Sequence, residues 1–337
     1  MTTSISMPGI KCTPHVEVQS ELIREALVGL SSRPRSLKPW MFYDELGSQL
    51  FERITKLPEY YPARTERSLL ESHADAIVAA ASDGSQPLRI VELGAGSASK
   101  TCLLLAAAAR RRVDVVYMPL DVSTDALDMA CENVKSAFPR VLIEPLVVNY
   151  VNTPPQFEQF DGSTLALYLG SSIGNFTPNE SQTILRNLGS QLGRKDSILL
   201  GTDLVKDEST LLKAYDDNEG VTASFNLNIL NRLNNELDAD FDLTRFRHSA
   251  RWNSMESRVE MHLKSTCCQT VRVPAAGIEL DFSNGETIHT ESSYKFTEET
   301  LSSLLSESEF QIENTWKDQR GWYALTLSRK RERNRRD

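Results

Sequence analysis

Cysteine is scarce in this 337-residue sequence, and its five cysteines form no paired framework and no metal-ligand spacing. They are Cys12, Cys102, Cys131, Cys267 and Cys268. An odd number of isolated cysteines suits a reducing compartment, so we expect neither disulfide bonds nor a zinc site. Cys267 and Cys268 stand in no His or carboxylate pattern, and we interpret them as thiols at a strand edge rather than nucleophiles.

Long apolar runs are also missing. No stretch approaches 18 uninterrupted apolar residues, and the N-terminus lacks the basic-then-apolar order of a signal peptide. Positive charge is low, because 37 Lys and Arg stand against 46 Asp and Glu and give a net charge of −9. A nucleic acid would be repelled by such a chain. We therefore expect a cytoplasmic protein that binds neither membranes nor nucleic acids.

A glycine pair follows a hydrophobic stretch in the segment 90–100, which reads IVELGAGSASK. Gly94 and Gly96 remove Cβ atoms where a strand-to-helix turn lets its backbone approach a ligand, and the next helix directs unpaired N–H groups toward it. The third glycine of a dinucleotide fingerprint is missing, which weakens an NAD interpretation. Asp121 ends the next predicted strand, where a carboxylate can accept hydrogen bonds from both hydroxyls of a ribose. The pattern favours a nucleoside cofactor and resembles the first motif of class I S-adenosylmethionine-dependent methyltransferases.

Helical and strand-like patterns alternate from residue 66 to residue 203. The predicted order is helix 66–82, strand 88–93, helix 98–111, strand 113–120, helix 123–137, strands 141–147 and 164–169, helix 178–192 and strand 197–203. Such alternation is typical of a parallel α/β sheet with helices on both faces, whose ligands lie beyond the carboxyl ends of the strands. Four stretches should therefore meet in one crevice, namely 92–96, 121, 149–150 and 170–175.

Residues 206 to about 295 break this rhythm and predict an inserted α+β subdomain. A polar helical segment rich in Asn and Asp is followed there by strand-like segments at 258–264, 270–273 and 286–296. Helix 297–308 and strands 310–316 and 322–327 then resemble the antiparallel close of a class I, Rossmann-like methyltransferase sheet. We expect a cofactor-binding domain at 69–205 and 296–328, a substrate-binding subdomain at 15–68 and 206–295, a loose tail at 1–14 and a basic tail at 329–337.

Several longer strings of residues stand out beyond the glycine turn. They are FYDELGS at 42–48, LPEYYP at 57–62, VELG at 91–94, LGSSIGNF at 169–176, AYDD at 214–217 and FNLN at 225–228. Together they resemble the histidine-specific N-methyltransferase family of ergothioneine biosynthesis, from about residue 36 to the C-terminal strand. The resemblance implies an enzyme that trimethylates the α-amino group of L-histidine to hercynine with S-adenosylmethionine.

The resemblance also implies the residues of the site. Cofactor contacts would fall on Tyr43, Gly94, Lys100, Asp121, Asn149 and Tyr150. Substrate contacts would fall on Tyr60, Gly170, Asn175, Tyr215, Met261, Glu291 and Ser293, with Tyr60 and Asn175 as the catalytic pair and no metal. The family commonly has Asp-Phe where this chain has Asn149-Tyr150. The asparagine amide lacks the negative charge of the aspartate, and cofactor affinity is the property that this difference affects. Neutral amide and phenol groups suit an amine that must lose its proton before it attacks.

Three of these residues bear on substrate choice. Glu291 can accept from one imidazole N–H, and Ser293 can serve the other ring nitrogen in either tautomer. A tyrosine or phenylalanine ring would leave the buried carboxylate unpaired. Met261 would fill the volume that an indole needs. The resemblance thus predicts L-histidine as the preferred small-molecule substrate, and we expect the enzyme to be a monomer.

Three other functions stay open at this point. Relatives of the same architecture could N-methylate another aromatic amino acid, such as tryptophan, by changing Met261 and Glu291. A dinucleotide-dependent oxidoreductase is disfavoured by Ala98-Ser99, where a third glycine would be needed. A cofactor-binding module without turnover is disfavoured because such a protein has no need of the substrate positions.

Overall fold

The glycine turn lies at the centre of a large mixed sheet in the computed structural model, which describes residues 15–150 and 154–331. The predicted tail at 1–14 and residues 332–337 of the predicted basic tail lie outside these ranges. The helices are α1 (His15–Ser31), α2 (Glu45–Ile54), α3 (Tyr61–Ala81), α4 (Thr101–Arg110), α5 (Thr124–Ala137), α6 (Pro178–Ser190), α7 (Glu208–Tyr215), α8 (Val221–Leu237) and α9 (Glu298–Glu307). The strands are β1 (Arg35–Ser36), β2 (Leu88–Leu93), β3 (Val115–Asp121), β4 (Leu142–Ile143), β5 (Leu146–Val147), β6 (Ser163–Tyr168), β7 (Ser197–Asp203), β8 (Phe246–Asn253), β9 (Arg258–Ser265), β10 (Gln269–Val273), β11 (Ile278–Phe282), β12 (Thr287–Tyr294), β13 (Phe310–Lys317) and β14 (Tyr323–Lys330).

The large sheet has the strand order β13-β14-β7-β6-β2-β3-β4, and β5 also pairs with β3. All neighbours from β7 to β4 are parallel, whereas β14 is antiparallel to β7 and β13 is antiparallel to β14. The central position of β2 places the glycine turn in the middle of the carboxyl edge, where the strands of open α/β sheets leave a crevice. This order confirms the predicted class I methyltransferase sheet.

Helices cover both faces of this sheet because its strands alternate apolar side chains between two cores. Leu88 and Ile90 of β2 pack into the core that includes residues of α3, α4 and α5. Val91 and Leu93 of the same strand pack into the opposite core, together with residues of α6 and α9. Alternate side chains of β2 thus point to opposite faces, and both faces are buried, as expected for a strand of a parallel sheet.

The inserted segment and the short strand β1 of the N-terminal segment form a second sheet with the strand order β1-β12-β9-β8, next to the hairpin β10-β11. A third core lies against it and takes its side chains from 22–61 as well as from 211–288. The N-terminal segment and the insertion therefore bury apolar surface against each other. Within this core, Phe42 stacks on Phe225 of α8 with ring centroids 4.5 Å apart, which brings two of the motif strings together.

Several predicted element boundaries are wrong, each for a physical reason. The predicted strand 141–147 is two short strands, because Pro145 between them has no N–H to donate to a ladder. The helix predicted from residue 98 begins at Thr101, after a turn in which Ala98 has a positive φ of 54°. Strand β11 follows a turn at Gly277 (φ 65°) and was missing from the prediction. Strand β14 extends to Lys330, so Arg329 and Lys330 belong to the sheet rather than to a tail.

Candidate active site

The glycine turn shapes one wall of a cavity of about 400 Å³. Gly94 and Gly96 have φ angles of 71° and 49°, in the left-handed region that favours glycine. A Cβ on Gly94 would lie 3.2 Å from the hydroxyl of Tyr150, whereas a Cβ on Gly96 would meet nothing within 4 Å. The backbone of the turn therefore faces open space at Gly96, as a ligand cradle requires.

Asp121 lies behind this turn, at the end of the neighbouring strand β3. Its carboxylate accepts hydrogen bonds from the backbone N–H of Ser123 at 3.0 Å and of Gly96 at 3.4 Å. Burial raises the pKa of Asp121, and these backbone donors oppose the shift. Asn149 and Tyr150 follow β5, the next strand along the same edge. Asp121, Asn149 and Tyr150 are not among the residues that line the 400 Å³ cavity, but Tyr150 and Asp121 reach the two glycines.

Lys100 ends the turn and is held by Glu66, a residue that the sequence analysis missed. Glu66 lies on α3, is fully buried and accepts a hydrogen bond from Lys100 Nζ. It also accepts from the backbone N–H of Gly170 at 2.8 Å and from the Tyr323 hydroxyl at 2.7 Å. The Glu66 carboxylate thus connects the glycine turn, the loop after β6 and the antiparallel strand β14. A sequence signal existed, because Glu66 lies three and four residues before buried Leu69 and Leu70 on one helix face.

All seven residues predicted for the substrate line a second, smaller cavity. Tyr43, which the sequence assigned to the cofactor, lines it as well. The full lining is Tyr43, Phe51, Ile54, Tyr60, Gly170, Ser172, Asn175, Ala214, Tyr215, Thr222, Phe225, Met261, Glu291 and Ser293. Phe51, Tyr60, Gly170 and Ser172 line both cavities, so the two cavities adjoin.

The second sheet supplies one side of the smaller cavity. Met261 of β9 is directly opposite Glu291 of β12, and Ser293 lies two residues further along the same face of that strand. A register shift between His289 and Glu291 sets this pairing. Glu291 is 8% exposed, and burial raises its pKa to about 7 against the opposing charge of Lys295.

The loop after β6 supplies the opposite side. Gly170 has a φ of 76°, and a Cβ on Gly174 would lie 2.7 Å from the carbonyl oxygen of Tyr294, so this loop packs directly against β12. Asn175 is the last residue of a short 3-10 turn, Ser172–Asn175, while Thr177 is the N-cap of α6. Asn175 is therefore not the helix cap, and it lines the cavity.

Tyr60 and Tyr215 approach the cavity from α3 and α7. Tyr60 is the N-cap residue of α3 and Tyr215 is the last residue of α7, and their ring centroids are 6.2 Å apart. Burial raises the pKa of both phenols. Both side chains are therefore neutral hydrogen-bonding groups at neutral pH.

A buried ionic cluster beneath the smaller cavity was also missed by the sequence analysis. Asp203, at the end of β7, pairs with Lys206 Nζ at 2.5 Å and with Lys295 Nζ at 2.9 Å. Tyr61 donates to the same carboxylate at 2.7 Å. Lys295 also donates to the Tyr215 and Ser293 hydroxyls, each at 2.8 Å. The sequence did carry a signal for Lys295. Glu291, Ser293 and Lys295 are spaced at every second residue, which places them on one face of a strand.

The titratable groups of this site do not resemble a metal centre. No group of three or more His, Cys, Asp or Glu side chains suited to a metal ion occurs within 15–150 and 154–331. In the same ranges Cys102, Cys131, Cys267 and Cys268 are free thiols. No helix in the described part of the chain is both long and apolar enough to cross a bilayer.

The sheet order, the glycine turn with Asp121, and the adjoining cavities define a class I S-adenosylmethionine-dependent methyltransferase. The chain belongs to the histidine-specific, SAM-dependent methyltransferase family, whose profile matches residues 22–330. It is 42% identical to a histidine N-alpha-methyltransferase of Mycolicibacterium smegmatis, over 91% of this chain and 94% of that protein. It is 39% identical to the protein of the same name from Mycobacterium tuberculosis, over 92% and 95% of the two chains. Ergothioneine biosynthesis protein 1 of Neurospora crassa is 35% identical over 60% of this chain and 23% of its own length.

Proposed function

We propose that this enzyme trimethylates the α-amino group of L-histidine to hercynine with S-adenosylmethionine, as a step of ergothioneine biosynthesis. One observation carries the proposal: the seven candidate substrate residues line a single cavity, which adjoins the cavity at the glycine turn through Tyr60 and Gly170. The names of the relatives support the same reaction, since two are histidine N-alpha-methyltransferases and one is an ergothioneine biosynthesis protein.

The larger cavity fits the cofactor. Its volume lies within the range of small-molecule sites, and the turn exposes backbone at Gly96 where a side chain would otherwise stand. Asp121 would accept from the ribose hydroxyls, and Asn149 with Tyr150 would contact the adenine. Lys100, held by Glu66, would face the methionine part. When bound, S-adenosylmethionine supplies an electrophilic methyl group on a sulfonium sulfur.

Tyr60 and Asn175 would orient the α-amino group at the junction of the two cavities. The amine must lose a proton before each methyl transfer, and its final product is a permanent cation. A carboxylate beside the amine would hold it protonated, whereas a neutral phenol and a neutral amide do not. The contribution of these residues is therefore positioning for in-line attack in a site that excludes water.

Glu291, Ser293 and Met261 would select the substrate side chain. The Glu291 carboxylate is buried, so a ring that donates no hydrogen bond to it leaves it unpaired at considerable cost. Met261 lies opposite Glu291 in the register and limits the volume beside it. These contacts favour imidazole over phenyl, which has no donor for Glu291, and over the larger phenol and indole, which have a donor but need the volume that Met261 fills.

A survey of substrates tests this function. The purified protein is incubated with S-adenosylmethionine and all twenty amino acids, and methylated products are identified by mass spectrometry. We expect α-N-trimethylhistidine as the main product. Methylation confined to another amino acid, or to a ring nitrogen of histidine, would contradict the proposal. The monomeric state and the cytoplasmic location expected from the sequence stay predictions.

A further inference from the structure

Lys295 is a buried cation that contacts two residues lining the proposed substrate cavity. Its side chain is 0% exposed, and burying a charge is costly unless the charge is paired and hydrogen-bonded. All three of its N–H donors are used, on Asp203 Oδ2, on the Tyr215 hydroxyl and on Ser293 Oγ. Two of its three partners are thus hydroxyls that line the cavity.

The backbone fixes Lys295 in this position. It follows β12 directly, and its neighbour Phe296 donates its N–H to the carbonyl of Asp203 at 2.9 Å. The end of β12 is therefore joined to the end of β7, which places the ammonium group beside the carboxylate. Lys206 holds the other oxygen of Asp203, so the cluster contains two lysines with different neighbours.

The hydrogen bonds around Ser293 determine what its hydroxyl group offers to a ligand. Ser293 Oγ accepts from Lys295 Nζ at 2.8 Å and from the Tyr215 hydroxyl at 2.7 Å. A serine oxygen accepts through two lone pairs and donates through one O–H. With both acceptor positions used, the remaining role of Ser293 in the cavity is that of a donor.

We propose that Lys295 determines specificity by making Ser293 a hydrogen-bond donor toward the substrate ring. This inference rests on the proposed function. The site then takes a neutral imidazole that presents its unprotonated nitrogen to Ser293 and its N–H to Glu291. An imidazolium, or the other tautomer, brings an N–H against a hydroxyl that has no free lone pair. The sequence predicted that Ser293 could bind either tautomer of the imidazole, whereas under this proposal it binds only one. Lys295 acts through Ser293 and is a positioning residue.

Two histidine analogues distinguish the roles of Ser293. In 3-(pyrrol-2-yl)alanine and 3-(pyrrol-3-yl)alanine the ring has one N–H and no acceptor, and the N–H occupies one or the other nitrogen position of imidazole. One isomer directs its N–H to Glu291, and the other directs it to Ser293. For the wild-type enzyme we expect kcat/KM to differ between the isomers by about tenfold or more, because the disfavoured isomer opposes its N–H to the Ser293 donor and also leaves Glu291 without a donor.

The variant Lys295→Met removes the two donors on the hydroxyls and keeps an unbranched chain of similar length. Ser293 then regains a lone pair that can accept from the isomer whose N–H faces it, so the ratio of kcat/KM between the pyrrole isomers should fall by about fivefold or more, and Glu291 accounts for the preference that remains. Lys206→Met is the matched control, because it removes a buried ammonium from the same Asp203 but touches neither Tyr215 nor Ser293. The control should keep the wild-type ratio.

The possible outcomes distinguish a failure of this proposal from a failure of the proposed function. Equal use of both pyrrole isomers by the wild-type enzyme would overturn the proposal, and this measurement needs no variant to fold. A Lys295→Met enzyme that loses activity on histidine and both analogues in equal proportion, with the isomer ratio unchanged, would also overturn it and leave Lys295 with a structural role only. A wild-type enzyme that does not methylate histidine at all would instead contradict the proposed function.

Discussion

At the scale of single residues, the site works through groups whose charge is set by burial. Burial raises the pKa of the Tyr60 and Tyr215 phenols, and it raises the pKa of Glu291 to about 7. Neutral groups therefore surround the position proposed for the amine, and Glu291, the one carboxylate among the described residues that line the smaller cavity, has its pKa raised to about 7. Shifted pKa values of this kind are typical of functional sites.

The pKa of Glu291 predicts a pH dependence. Because its pKa is raised from 4.5 to about 7, the side chain is neutral below that pH and becomes a charged, stronger acceptor for an imidazole N–H above it. The value of kcat/KM for histidine should therefore rise as the pH rises through about 7, since kcat/KM reports ionisations of the free enzyme.

The variant Glu291→Gln is the measurement for this prediction. Glutamine keeps an acceptor oxygen but does not titrate. Ionisations of the substrate itself are common to both enzymes and cancel when wild-type kcat/KM is divided by variant kcat/KM at each pH. We expect that ratio to increase with pH around 7. A ratio that stays constant from pH 5.5 to pH 8.5, a range chosen to span about 1.5 pH units on each side, would show that Glu291 does not govern binding.

Asp121 carries the prediction for the cofactor. Replacing Asp121 with alanine removes the proposed acceptor of the ribose hydroxyls, and hydrogen bonds to a charged group are worth about 1.5–3 kcal/mol. Affinity for S-adenosylmethionine should fall by about tenfold or more, as measured by titration calorimetry. The control is Asp125→Ala, an exposed carboxylate in the first turn of α5. Unchanged affinity in a folded Asp121→Ala protein would remove the assignment.

At the scale of elements, Glu66 joins the parts of the sheet edge that line the larger cavity, which we propose for the cofactor. It reaches Lys100 on the turn, Gly170 on the loop after β6, and Tyr323 on β14. The close approach depends on Gly201 in β7, where a Cβ would lie 2.0 Å from Glu66 Oε1 and 2.8 Å from the Tyr323 hydroxyl. A glycine inside a central strand thus marks a close contact rather than a weak point.

The variant Gly201→Ala tests this connection. The added methyl group must displace Glu66 or Tyr323, and overpacking of this kind costs about 1–3 kcal/mol. Thermal unfolding should show the loss of stability, and calorimetry should show weaker cofactor binding because Lys100 and Gly170 lose their anchor. Gly193→Ala is the control, since its Cβ would lie 3.4 Å from Asp196 Oδ2, an ordinary contact. A Gly201→Ala enzyme with wild-type stability and affinity would contradict this role of Glu66.

The sequence predicted the elements whose periodicity is strong and whose ends carry clear signals. The helix predicted at 178–192 is one example, because α6 begins at Pro178 and a capping box of Thr177 and Glu180 marks its start. The interrupted strand around Pro145 and the hairpin strand β11 were not recovered, because short strands have little periodicity of their own. These strands are determined by their tertiary pairing. β4 and β5 pair with β3, and β11 pairs with β10.

At the scale of the whole molecule, the motif strings located the candidate site but not what supports it. Residues as distant in sequence as Tyr60, Asn175 and Glu291 line one cavity. The supporting cluster of Asp203, Lys206 and Lys295 was not predicted, because charged residues in a sequence are expected at the surface. Only the junction of β7 with the end of β12 shows that these charges are buried together.

The central claim is that this enzyme methylates the α-amino group of histidine in preference to that of any other amino acid. The most direct test is a competition in one vessel, with L-histidine and L-tryptophan at equal concentration, limiting S-adenosylmethionine, and quantification of both methylated products. The product ratio gives the ratio of kcat/KM values directly. The buried Glu291 opposite Met261 predicts a ratio of at least about 100 in favour of histidine, because the larger indole meets Met261 and cannot bring its N–H to the carboxylate, which leaves a buried polar group unmatched. A ratio near one, or one that favours tryptophan, would contradict the assignment.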